Sequence, residues 1–260
     1  MNIVNVQTNS KKYKILIGWK ILPKLCDVLK KQKISESVFI ISTDRIFNIY
    51  GEKLISILKN SKITDLGFAL IPDGEKSKSW HNYEKLINKI IDFDSGKEKK
   101  ITVIALGGGV VGDISGFVAG TYKRGVPFVQ IPTTLLAMVD SSIGGKTGID
   151  FRHKNKVIKN VLGQFYQPDL VLSDLSFLRT LPKKQLLNGL AEVIKYGIIK
   201  DINLFDFLEN NTEKILSLEK SAMNYIVKRS SEIKRDIVQQ DERETKLIRT
   251  ILNYGHTIGH

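Results

Sequence analysis

The chain contains one cysteine, Cys26, which rules out an internal disulfide framework; no other cysteine or histidine stands near it at metal-ligand spacing. It sits in the apolar-periodic stretch LPKLCDVL and reads as a buried, inert thiol. Long apolar runs are also missing: none approaches the roughly 20 residues of a membrane-spanning helix, so no membrane partner is expected. The opening MNIVNVQTNSKKYKILIG lacks a basic leader followed by an apolar core, and a cytoplasmic location is the expectation. There is no internal repeat and no low-complexity segment.

Acidic residues are outnumbered, 27 Asp and Glu against 40 Lys and Arg, for a net charge of +13. A basic surface suits phosphates, but the lysines are spread along the chain. The densest run, 97–100 within SGKEKK, has no interleaved aromatics. Nucleic acid is therefore not the expected partner; small anionic molecules are. With 260 residues, 42% of them hydrophobic, the chain has material for one large domain or two smaller ones.

Short β-rich apolar runs alternate with helical patterns through the first two thirds. They are YKILIG, the amphipathic LPKLCDVLKKQ, VFIIST, a helix over 46–58, LGFALIP, a helix over 80–93, ITVIAL, a helix from Val111, and PFVQIP. Such alternation predicts a mainly parallel sheet with helices on both faces and ligands at the carboxyl ends of its strands. After VLSDLSFLRTLP the pattern turns to helix upon helix with no further strand, and Pro182 stands where a helix can start. The expected organisation is an α/β domain over 1–172 followed by an α-helical one over 173–260.

Three segments carry chemistry. In ITVIALGGGVVGDISGF, Gly107, Gly109 and Gly112 form a GxGxxG pattern between a strand and a helix, where bare backbone N–H groups can cradle a pyrophosphate. The same spacing also serves a tight strand-to-helix turn with no ligand. IPTTLLAMVDSSIGGKTGID adds hydroxyls, glycines and a lysine suited to phosphate or ribose oxygens, and it equally suits a surface loop. GLAEVIKYG sets Glu192 and Lys195 one helical turn apart among apolar neighbours, the setting of a buried carboxylate that needs a cation rather than of a solvated ion pair. At the end of the chain, HTIGH places His256 and His260 on one helix face, a metal-ligand pair or a structural one. Thr257 stands where a zinc protease would carry its glutamate base, so peptide hydrolysis is not supported. Glu192 would complete an open catalytic shell with the histidines.

The segments PDGEKSK, GGGVVGDISGFVAGTYKRG, IPTTLLAMVDSSIGGKTGID, KNVLGQFYQP, TLPKKQLLNGLAEVIKYG and DERETKLIRTILNYGHTIGH follow one another over most of the chain. In that order they resemble the 3-dehydroquinate synthases, shikimate-pathway enzymes of the sugar-phosphate cyclase superfamily. The resemblance implies a Rossmann-like, mainly parallel α/β domain followed by an all-α domain that would be incomplete at residue 260. It implies NAD and a divalent metal, zinc or cobalt, as cofactors, a phosphorylated sugar acid as substrate, and a homodimer.

By matching position, the resemblance assigns NAD to Asp44, Glu75, Lys78, Gly108, Gly109, Val110, Asp113, Thr133, Thr134, Leu136, Asp140 and Ser141, with Thr180 and Leu181 closing over it. It assigns substrate to Lys146, Lys159, Asn160, Lys195, Lys234, Arg249, Asn253 and His260, with Lys146 and Lys159 also at the nucleotide. Arg124 resembles the arginine that reaches the substrate phosphate of a neighbouring subunit. Glu192 and His256 would hold the metal together with a third histidine that the family places beyond this chain. Ile46 stands where family members can carry a polar nucleotide contact. Residues 150–159 form a longer segment than the family uses, which makes Lys159 and Asn160, rather than Lys154 and Asn155, a choice resting on the IKNVLGQFYQP match. The implied reaction converts 3-deoxy-D-arabino-heptulosonate 7-phosphate to 3-dehydroquinate and phosphate, with NAD regenerated in each turnover. The alternatives are a related cyclase or metal-dependent polyol dehydrogenase on the same scaffold, and a truncated nucleotide-binding remnant without catalysis.

Overall fold

The computed structural model describes residues 1–32, 34, 37–96 and 101–255; the 97–100 run, His256 and His260 lie outside them. Strands β1 (Asn2–Gln7) and β2 (Lys12–Gly18) pair antiparallel. They are followed by α1 (Leu25–Lys31), β3 (Ser37–Thr43), α2 (Asp44–Asn60), β4 (Asp65–Ile71), α3 (Trp80–Asp94), β5 (Ile101–Gly107), α4 (Gly109–Thr121) and β6 (Phe128–Pro132). A hairpin of β7 (Lys146–His153) and β8 (Lys156–Phe165) precedes β9 (Leu170–Asp174). The chain then turns helical: α5 (Lys183–Lys200), α6 (Ile202–Asn210), α7 (Thr212–Leu216) and α8 (Lys220–Gln240).

The main sheet has the order β1-β2-β9-β6-β5-β3-β4, parallel throughout except at β1–β2. Strands β3, β5, β6 and β9 are buried along their whole length, which continuous apolar runs require when helices cover both faces. Side chains alternate between two cores. Val38 and Ile40 pack with Leu54 and Leu58 of α2, while Phe39 and Ile41 pack with Leu86 and Ile90 of α3 and Ile114 and Val118 of α4. Cys26 is buried, as its apolar setting implied. Helix starts follow the local chemistry: Thr43 and Ser79 cap α2 and α3 with their hydroxyls, and α5 begins directly after Pro182.

Three strand features differ from the sequence expectation. β1, NIVNVQ, mixes polar residues with only three apolar ones; β9 is five residues long and lies inside the sheet between β2 and β6 although its sequence merges into LSFLRTLP. The stretch after Gly145 was expected as a loop and is instead β7, paired with β8 and packed on α4. Helix α4 starts at Gly109 rather than Val111, because Gly108 takes the extended N-cap conformation. The helical part packs back on the sheet through α8, which lies against β1 and β2 and accepts the Gln7 N–H on Gln239 at 2.8 Å. Helix α5 leaves Leu187, Ile194 and Ile198 exposed along one side.

Candidate active site

A cleft of about 510 Å³ opens where the hairpin, α4, α8 and the turn Ala137–Ser141 meet at the carboxyl ends of β5 and β6. Asp113, Asp140, Ser141, Lys146, Asn160, Lys234 and Arg249 line it. Seven of the residues assigned from sequence thus share one cavity.

The glycine turn abuts the cleft through Ser141. Gly108 precedes α4 with no side-chain cap, so the first N–H groups of the helix are bare. A Cβ on Gly108 would lie 3.0 Å from Thr134 Cγ2, and one on Gly109 would lie 3.0 Å from Ser141 Oγ, so only bare backbone lets the two loops approach this closely. The hydroxyls of Thr133 and Ser141 are buried without a partner, an arrangement that fits a ligand rich in polar oxygens. Thr134 instead uses its Oγ1 to accept the Ala137 N–H at 3.1 Å. Val110 and Leu136 are half-buried beside these loops.

Lys78 connects three elements. Its buried Nζ lies 2.8 Å from Asp113 Oδ2 on α4, donates to Asn160 Oδ1 on β8, and lies 3.7 Å from Glu75. Burial pushes the Asp113 carboxyl up to about 6, against the opposing pull of Lys78. Asn160 takes a left-handed φ of 52°, and its N–H donates to Asp150 Oδ1 at 2.8 Å. Lys154 and Asn155 form the far turn of the hairpin, whereas Asn160 faces the cleft. Lys159 is exposed beside it.

A second charged group joins α5, α8 and the Ala137–Ser141 turn. Asp140 Oδ1 accepts from Lys234 Nζ at 2.5 Å and from the Tyr196 hydroxyl at 2.8 Å. Burial alone would raise the Asp140 pKa, but Lys234, Tyr196 and Lys195 outweigh it and lower the carboxyl to about 2. Lys195 pairs with Glu192 one turn before it and donates to Leu252 O at 2.6 Å. Glu192 is nearly buried, and desolvation followed by the Asp140 charge raises its pKa. A buried carboxylate in this position suits a cation. Among the described residues no group of three or more His, Cys, Asp or Glu is placed to hold a metal ion, and His256 lies outside them.

Arg249 closes the cleft. It is 2% exposed, donates from Nη1 to Glu242 O at 2.8 Å and stacks 5.8 Å above the Phe165 ring. Glu244 bridges it to Lys146, with Oε1 2.5 Å from Lys146 Nζ and 3.6 Å from Arg249 Nε. Upstream, Asp241 accepts the N–H groups of Lys246 and Ile248, and Glu242 accepts from Ser10 and from Gln167 at 3.0 Å, which pins the segment that carries Arg249.

Asp44, Thr180, Leu181, Arg124 and Asn253 do not line this cleft. Asp44 is exposed at the start of α2, and Thr180 bonds Tyr50 across the sheet end at 2.5 Å, with half-buried Leu181 beside it. Arg124 is exposed on a corner where both it and Lys123 have positive φ; Asn253 is exposed near the end of the described chain. Sequence reasoning missed Tyr196, Asp241, Glu242 and Glu244. Tyr196 stood inside GLAEVIKYG and had the apolar flanks as a signal; the three acids carried none, because their roles arise only from the fold.

Two family models match in succession: the 3-dehydroquinate synthase N-terminal family over residues 68–188 and the 3-dehydroquinate synthase C-terminal family over 189–260. A 3-dehydroquinate synthase of Thermoanaerobacter sp. is 47% identical over all 260 residues, which span 71% of that protein. The chloroplastic enzyme of Arabidopsis thaliana is 43% identical over 99% of this chain and 57% of its own length. Among solved structures, 2-epi-5-epi-valiolone synthase from Streptomyces hygroscopicus, with NAD+ and Zn2+ bound, superposes with a TM-score of 0.81 at 30% identity, covering 98% of this chain and 68% of its own. A 2-deoxy-scyllo-inosose synthase shares the fold with a TM-score of 0.87 at 22% identity, over 100% of this chain and 69% of that one. With both family models matched end to end and near-half identity along its whole length, the chain belongs to the 3-dehydroquinate synthase family.

Proposed function

We infer that this chain performs the reaction of its family, the conversion of 3-deoxy-D-arabino-heptulosonate 7-phosphate to 3-dehydroquinate and phosphate in aromatic amino acid biosynthesis. The observation that carries this reading is one cleft lined by Lys146, Lys234 and Arg249 and by Ser141, whose unpartnered hydroxyl lies against Gly109 of the glycine turn. A substrate bearing both a phosphate and a carboxylate calls for that density of cations.

In this reading NAD lies along Gly108, Gly109, Thr133 and Ser141, and Glu192 with His256 holds zinc or cobalt. Bound there, NAD takes up and returns a hydride and the metal polarises a substrate hydroxyl, so the overall reaction is redox-neutral. The protein's own residues do the positioning. Lys78 holds Asp113 and Asn160 in place across α4 and the hairpin, closing the nucleotide side. Glu244 keeps Lys146 and Arg249 together until a substrate anion replaces it. Lys195, held by Glu192 and Leu252 O, presents a fixed ammonium beside the reacting hydroxyl. His260 would orient or shuttle a proton, and Asn253 and Lys159 would complete the substrate and nucleotide contacts.

Arg124 protrudes without a partner among the described residues, which suits an arginine lent to the site of a second copy in a homodimer. The division into a nucleotide-binding unit over 1–172 and a metal and substrate unit over 173–260 belongs to the same reading. No described helix is long and apolar enough to cross a membrane. A cytoplasmic location fits an enzyme that draws on phosphorylated sugars and NAD, and no nucleic-acid partner is needed.

The test is turnover of the phosphorylated substrate by the NAD- and metal-loaded enzyme, following phosphate, 3-dehydroquinate and NADH together. Equal amounts of phosphate and 3-dehydroquinate with no net NADH are expected. Accumulating NADH without phosphate release would replace this reading with a polyol dehydrogenase.

A further inference from the structure

Tyr196 has no part in the proposed reaction above, yet it lies at the centre of the charged group. Its side chain is fully buried, its hydroxyl is 2.8 Å from Asp140 Oδ1 and 3.2 Å from Val139 O, and Lys195 Nζ lies 5.5 Å over its ring. Around it are two carboxylates and two ammonium groups: Asp140 with Lys234 on one side, Glu192 with Lys195 on the other. Four such charges in one buried volume can pair in more than one way, because Lys195 also acts on Asp140 and Lys234 on Glu192. A group standing between the pairs decides which pairing forms.

We propose that Tyr196 is a positioning residue: its phenol proton holds the Asp140 carboxylate in the one orientation that meets Lys234 and faces the nucleotide side of the cleft. This rests on the placement of Asp140 at the NAD site in the proposed function. The phenol is tied to α5 and its acceptor to the Ala137–Ser141 turn, so the bond also fixes the spacing between the helix that carries Glu192 and the loop that carries Ser141. Without the hydroxyl, Asp140 is free to turn toward Lys195.

The test is a double-mutant cycle in the holoenzyme with Tyr196→Phe and Asp140→Asn, read as the NAD dissociation constant by equilibrium binding and as kcat and KM for the phosphorylated substrate at saturating NAD. Tyr196→Phe removes one oxygen and adds no atom. It is expected to weaken NAD binding about tenfold, the worth of a hydrogen bond to a charged acceptor, with KM within about twofold of the parent. In the Asp140→Asn background the same change is expected to have little further effect. Val193→Ala thins the same buried helix face without touching the hydroxyl; it should lower the melting temperature and leave NAD affinity at the parent value. Weakened NAD binding in Asp140→Asn together with parent-like binding in Tyr196→Phe would overturn the positioning role. Unchanged NAD binding in Asp140→Asn would overturn the site reading beneath it, and additive effects in the double variant would reduce Tyr196 to a packing residue.

Discussion

Lys234 and Asp140 show what single residues contribute here. Lys234 is 7% exposed and supplies the largest favourable influence on an aspartate whose burial would otherwise raise its pKa. Replacing it, as in Lys234→Met, leaves half-buried Asp140 with only Tyr196 and Lys195 and is expected to cost about 2 kcal/mol at neutral pH, the worth of a hydrogen bond to a charged group. The sign with pH follows from the lowered carboxyl. In the parent, the stabilisation is complete above the ordinary aspartate value of 3.8 and is lost as pH falls through about 2; in the variant burial raises the carboxyl instead, so the gap between the two begins to narrow above pH 4 and goes on narrowing below it. Urea unfolding of both proteins from pH 7 down to pH 3 measures this, and a constant gap over that range would contradict the pairing. At this scale the sequence was legible where chemistry is written in neighbours: the apolar flanks of Glu192 and Lys195 announced a buried pair, and it is one. Glu244 was illegible, because a charged residue in DERETK looks like solvent-facing polarity until the turn brings it against Lys146.

At the scale of elements, the hairpin of β7 and β8 decides whether the cleft has a wall. It presses on α4 where Gly116 leaves room: a Cβ there would meet Thr147 Cγ2 at 2.3 Å and Phe128 Cε1 at 3.0 Å. Gly116→Ala must therefore push the hairpin away, at an expected cost of about 2 kcal/mol from overpacking. Because the hairpin carries Lys146 and Asn160, kcat/KM should fall more than tenfold while the variant stays folded at 25 °C, as thermal melting and steady-state kinetics together would show. Parent-like activity would mean that the hairpin moves without consequence for the cleft. Neither hairpin strand was visible in the sequence. Glycines at 144, 145, 148 and 163 and an exposed β8 whose apolar residues come mostly in adjacent pairs erase the alternation by which strands are recognised, whereas the fully buried β3, β5 and β6 stood out as mainly apolar runs.

The whole molecule raises the question of a site shared between copies. If Arg124 serves a neighbouring subunit, Arg124→Ala and Glu192→Ala are each expected to be nearly inactive alone. Mixing them after mild dissociation should restore about a quarter of parental activity, since half of randomly paired dimers hold one intact site of two. Sedimentation of the parent as a dimer is the companion measurement; no recovery on mixing would place Arg124 outside the site. The parallel α/β plan of the molecule was legible from alternation alone, and the family from the order of its motifs. The join between sheet and helical part was not, since α8 returns to β1 and β2 through contacts more than two hundred residues apart in sequence.

One feature of the sheet reaches beyond the finished fold. Strand β9 lies between β2 and β6, so that 150 residues made after β2 must be in hand before its open edge is covered. On the ribosome, at about 5–20 residues per second, the β1–β2 pair waits about 8 to 30 seconds with that edge bare. The four-stranded piece β6-β5-β3-β4 waits in the same way from the moment β6 emerges. Leu170 to Asp174 act as a late zip between two half-sheets, and a nascent chain halted before them would present two sticky edges to every other chain on the same message.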